Sequence, residues 1–137
     1  MDASVATRFL LKEDLSAEAE QVLRRFIEGE IDLKAPTLIN YEVGNALRTA
    51  ASRNIIKPAD AVSSFKIFLN LRLGKLAAYD QQYCETLEWS TKRGVSYYDA
   101  IYILQSKTSG YKLLTADAKQ LEAAKGEVEA VHLRDFT

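Results

Sequence analysis

Ser96-Tyr97-Tyr98-Asp99-Ala100-Ile101-Tyr102-Ile103-Leu104, followed by Gly110-Tyr111-Lys112-Leu113-Leu114-Thr115-Ala116-Asp117, is the stretch whose pattern decides the fold. Ser96 offers a hydroxyl to cap a helix start, and Gly110 supplies the residue that tolerates a left-handed helix end. The run 111–115 is short, apolar and bounded by that glycine, which predicts a strand buried on both faces. Asp117 then emerges just past the strand's carboxyl end, where α/β folds bind their ligands.

The same alternation extends outward in both directions. Ser16 with Glu18 and Glu20 predicts a helix start that Gly29 stops, because a cap oxygen and first-turn acids suit exposed N–H groups. Residues 31–35 predict a strand, and Pro36 suits the first turn of a helix reaching about Arg53. A further helix begins at Pro58 and runs to about Leu69. Residues 74–80 read equally as loop or short strand, 82–93 as a helix ended by Gly94, and 129–133 as a last strand. Strands alternating with helices predict a parallel β-sheet flanked by helices.

The chain has 137 residues, 47% hydrophobic and 27% charged, which suits one core and excludes a disordered or collagen-like polymer. No repeat or Pro/Gly/Ser-rich linker interrupts it, so residues 1–137 are expected to form a single domain. No apolar run approaches the ~20 residues of a membrane span. A lone Cys84 forms no intramolecular disulfide, and a lone His132 excludes a multi-histidine site, so a structural zinc is not expected and a reducing cytoplasm fits. Net charge is -1, so nucleic-acid affinity has to be local. Arg24-Arg25, the segment from Arg48 to Lys57, and Lys92-Arg93 read first as solvated helix surface.

Four acids stand out by their surroundings. Asp117 is either a strand-end ligand or the cap of the helix behind it, with Thr115 two residues away. Asp99 sits among residues that prefer burial, and equally completes a capping box with Ser96. Glu42 shares a helix face with Leu38, Ile39, Asn45, Ala46 and Thr49. A charge on that face is costly unless a cation or hydrogen bonds compensate it. Asp2 signals nothing by itself. Carboxylates brought together repel and raise one another's pKa, and a hard divalent cation such as Mg2+ or Mn2+ relieves that.

In order, Asp2-Ala3-Ser4-Val5, the block from Ala35-Pro36 to Glu42 and Asn45, Tyr98-Asp99-Ala100-Ile101-Tyr102, and Leu114-Thr115-Ala116-Asp117 resemble the motifs of the PIN-domain nucleases, especially the VapC-type toxins of type II toxin-antitoxin systems. The resemblance implies a three-layer α/β/α fold and a Mg2+ or Mn2+ site made by Asp2, Glu42, Asp99 and Asp117, with Ser4, Asn45 and Thr115 in support. It further implies endoribonuclease activity, a homodimer and a cognate antitoxin partner. Only Met1 precedes Asp2, where the family carries several apolar residues of a central strand, so that strand is expected to be truncated. Two other readings stay open: a non-catalytic binding module that engages a partner protein or RNA, and an acidic phosphotransfer domain. Against the second, Asp2 lacks a paired Asp two positions on, and no Lys follows a late strand as in receivers.

Overall fold

The computed structural model describes residues 1–137. Its elements run α1 (Ala3–Arg8), α2 (Ser16–Ile27), β1 (Lys34–Pro36), α3 (Leu38–Ser52), α4 (Pro58–Asn70), β2 (Gly74–Leu76), α5 (Asp80–Arg93), α6 (Tyr97–Ser109), β3 (Leu113–Thr115), α7 (Ala118–Ala124) and β4 (Ala130–His132), with a last 3-10 turn at Leu133–Asp135. β1 pairs in parallel with β2, and β3 in parallel with β4.

Met1 and Asp2 join these two pairs. The Met1 ammonium donates to the carbonyl of Lys34 in β1 at 2.8 Å, and the Asp2 N–H donates to the carbonyl of Leu114 in β3 at 3.1 Å. Two residues thus occupy the position of a central strand, giving the order β2, β1, Met1-Asp2, β3, β4 along one parallel edge. Burial removes the Met1 ammonium from water, which pushes its pKa down to about 6 against the opposing pull of the Asp2 carboxylate.

The helices cover this strip. α6 packs on β1 and β3 with α5 behind it, while α1 and α3 pack on β3 and β1 respectively and on each other, with α2 and α4 outside them. Val5, Ile39, Val43, Ile103 and Leu113 are buried at this centre, and all three residues of β3 are buried, as a two-faced parallel strand requires. Gly94 and Gly110 end α5 and α6 at φ of 65° and 73°, a backbone that favours glycine. No helix is long and apolar enough to cross a membrane.

Local departures from the sequence reading have physical causes. The first strand is displaced to Lys34–Pro36, so Pro36 closes a strand instead of opening a helix. Proline loses little there, because its fixed φ suits the end of an extended segment. Ser16 does not cap α2: its hydroxyl accepts from the Glu13 N–H and donates to the Leu11 and Glu13 carbonyls, tying down the preceding turn. The strands at 111–115 and 129–133 contract to three residues each.

Substituting Ile103→Ala, fully buried where α6 meets the sheet, is expected to lower unfolding free energy by about 2–5 kcal/mol in urea titration. The exposed Ile27→Ala is expected to stay within about 0.5 kcal/mol. Equal effects at the two positions would contradict this account of the core.

Candidate functional site

The carboxyl edge of the strip carries the polar groups that the core excludes. Asp2 is 5% exposed at the end of the two-residue strand and caps α1, its Oδ1 accepting from the Ser4 N–H at 3.0 Å and the Val5 N–H at 3.4 Å. The Ser4 hydroxyl donates to the same oxygen and accepts from the Ala116 N–H at 2.8 Å, so it locks Asp2 to the end of β3. Thr115, fully buried, places its Oγ1 3.4 Å from Ser4 Oγ and accepts from the Asp117 N–H at 3.0 Å. Burial pushes the Asp2 carboxyl above its usual range, and the bonds from Ser4 and Thr115 offset part of that rise.

Glu42 reaches the same region from α3 and Asp99 from the first turn of α6. The Tyr102 hydroxyl, one turn beyond Asp99, donates to Glu42 Oε2. Desolvation raises the Glu42 pKa, Tyr102 opposes that, and the negative charges of Asp2 and Asp99 raise it further. Tyr102 is pushed far upward by burial, by its bond to Glu42 and by the charges of Glu42, Asp2 and Asp99, so it stays a neutral donor. Three acids from three separate segments therefore act on one tyrosine. No three His, Cys, Asp or Glu side chains stand close enough to hold a metal ion as arranged.

Asp99 is the more available carboxylate. Ser96 accepts from the Asp99 N–H at 3.1 Å, forming half of the expected capping box. The Asp99 carbonyl accepts from Gln120 Nε2 at 3.1 Å, which ties α6 to α7. Asp117 takes the capping role weighed for it, its Oδ1 accepting from the Lys119 and Gln120 N–H groups at 2.7 and 3.4 Å, and it is exposed. Asn45 is exposed on α3, and the partner of Glu42 is Tyr102. His132 lies outside the group, its Nδ1 accepting from Arg134.

The sequence reading missed Tyr102 and Gln120. Both carried a signal: a buried tyrosine hydroxyl needs a partner, and Glu42 on an apolar face needs a donor.

The sequence pattern of the PIN domain matches residues 1–126. The chain belongs to the PIN domain family. It is 28% identical over 123 residues to a protein named Ribonuclease VapC3 from Pyrobaculum aerophilum, covering 89% of this chain and 91% of that one. It is 32% identical over 99 residues to Exonuclease VapC9 of the same organism, covering 65% of each chain. The crystal structure of PAE2754, also from Pyrobaculum aerophilum, superposes with a TM-score of 0.70 at 27% identity, covering 97% of this chain and 88% of that one. The parallel strip flanked by helices is the α/β/α architecture of a PIN domain.

Because burial raises the Glu42 pKa, folding favours its protonated form. The corresponding stability is fully present below the unfolded value near 4.5 and is lost as pH rises through the raised folded value. Glu42→Gln removes that loss, so the variant is expected to match or exceed the parent in thermal midpoint at pH 7 and to flatten the profile between about pH 4 and 7. A variant less stable than the parent at pH 7 with an unchanged profile would overturn the assignment.

Proposed function

We propose that this PIN domain is a Mg2+- or Mn2+-dependent endoribonuclease that hydrolyses RNA phosphodiester bonds as the toxin of a toxin-antitoxin pair. The observation that carries the reading is the meeting of Asp2, Glu42 and Asp99 around Tyr102, with Asp2 and Glu42 both held above the ordinary carboxylate range. The VapC names of its relatives support the same activity.

The donor set suits a hard cation. Asp2, Glu42, Asp99 and Asp117 supply carboxylate oxygens, with Ser4, Thr115 and Asn45 as supporting polar groups, and neither sulfur nor imidazole competes. A bound Mg2+ or Mn2+ would lower the pKa of a water and offset charge on the phosphate. The chain's own part is positioning. Ser4 and Thr115 hold Asp2 at the strand end, and Gln120 fixes the backbone at Asp99. Tyr102 stabilises Glu42 while keeping its own proton, so it is no base. Asp117 has one oxygen engaged at the cap of α7 and a second to offer. An antitoxin protein and a second copy of the chain are the partners this reading carries with it.

Asp99→Asn is expected to reduce Mn2+-dependent RNA cleavage by roughly two orders of magnitude or more, with little change in thermal midpoint. Undiminished cleavage by the purified variant would remove Asp99 from the machinery. A parent protein that neither binds Mn2+ in calorimetric titration nor cuts RNA would favour a non-catalytic PIN module.

A further inference from the structure

A groove of about 430 Å3 opens beside the carboxylates, lined among others by Leu38 and Tyr41 of α3, Lys75 of β2, Tyr83 of α5, and Ile101 and Gln105 of α6. It shares both walls with the acidic site. α3 gives Tyr41 to the groove and the next residue, Glu42, to the site; α6 gives Ile101 to the groove, with Asp99 and Tyr102 on the site side. Pro36, Thr37, Leu76 and Ala77 also border it, so it lies at the carboxyl edge of β1 and β2, as Asp2 and Asp117 lie at the carboxyl edge beside β3. Groove and site form one continuous track along the sheet.

The groove wall is aromatic and open. Tyr41 is 76% and Tyr83 50% exposed, two large rings left in water although the groove floor beside them is apolar. Lys75 is the cation here. It has no carboxylate partner, its Nζ donating to Asn40 Oδ1 at 3.2 Å, and partial burial lowers its pKa. An under-solvated ammonium without a counter-charge favours an anion, while exposed rings favour flat faces. A nucleic acid offers both at regular spacing. Bases stack on aromatic side chains whatever their identity, and phosphates pair with lysine. Duplex bases are already stacked on each other, so only an unpaired strand can present its faces here.

Resting on the nuclease reading, we propose that this groove binds single-stranded RNA beside the scissile phosphate, with Tyr41 and Tyr83 stacking on unpaired bases and Lys75 pairing with a backbone phosphate. The groove therefore selects unpaired RNA, and the carboxylates cut what it presents.

The probe is a fluorescein-labelled, unstructured RNA oligonucleotide, its binding read by fluorescence anisotropy with Asp99→Asn protein in Mg2+ so that cleavage does not interfere. Added singly to that background, Tyr41→Ala and Tyr83→Ala are expected to weaken binding on the order of tenfold each, and Tyr41→Trp to retain it. Lys75→Ala is expected to weaken binding and to lower the slope of log affinity against log salt by about 1. Mn2+ affinity and thermal midpoint should not move, and a fully paired hairpin should bind more weakly than the unpaired strand. RNA affinity unchanged by both alanine substitutions overturns the proposal, as does failure of the parent to bind the unpaired strand. So does a shift from dimer to monomer on either tyrosine substitution with RNA affinity intact, which would assign the face to a second copy of the chain. Cleavage assays separate the two readings: RNA bound through Tyr41 and Tyr83 but never cut sinks the nuclease alone, whereas cleavage with an unaltered KM in the tyrosine variants sinks the groove alone.

Discussion

Two hydrogen bonds from the first two residues hold the sheet together. Without the Met1 bond to Lys34 and the Asp2 bond to Leu114, the β1-β2 and β3-β4 pairs would be separate parallel ladders of three residues each. Ladders that short are weak by themselves, so their geometry depends on the bridge and on the helices packed over it. The bridge also sets the site. It ends in Asp2, whose side chain caps α1 and meets Ser4, and Ser4 bonds back to Ala116 at the end of β3. A residue that would be mobile at an unanchored terminus is instead nearly buried.

That placement has an electrostatic consequence. A carboxylate taken out of water loses solvation, and here it does so near two others. The protein's answer is neutral hydrogen-bond donors: Ser4 and Thr115 at Asp2, Tyr102 at Glu42. Such donors lessen the cost of each charge without cancelling it, which is why both acids remain shifted upward. Positive charge stands further off: the ion pairs of the chain, such as Arg93 with Glu127 and Lys92 with Glu88, lie elsewhere on the surface. The acidic edge is thus left for a cation from solution, and the flanking groove for a ligand that carries phosphate.

The helix interfaces explain why the groove stays open. On α5 the buried face carries Gln82, Thr86 and Ser90, while Tyr79, Tyr83 and Leu87 point outward. Against α6 this polar, small-residue contact brings the helices together without using the aromatic residues. Tyr97 crosses to the Tyr83 carbonyl and steadies the start of α6 beside Asp99. The outward tyrosines and Tyr41 then stand on the rim where the strand ends and helix starts converge.

Local pattern was enough to read most elements and the fold class. Gly29, Gly94 and Gly110 end helices because only their backbones adopt positive φ cheaply, Pro58 opens a helix because its missing N–H is not needed there, and buried Leu113 and Leu114 mark a parallel strand. The candidate acids were also legible, through the cost of a charge among apolar neighbours and through ordered motifs. Which acids meet was not. Asp2 and Thr115 are 113 positions apart and Glu42 and Tyr102 are 60, and no local periodicity encodes such contacts. Tertiary packing alone settled that Asp117 spends an oxygen on capping α7, that Tyr102 becomes the partner of Glu42, and that two residues suffice as a central strand. Side-chain chemistry is written residue by residue, whereas closeness between distant residues exists only after the chain has folded.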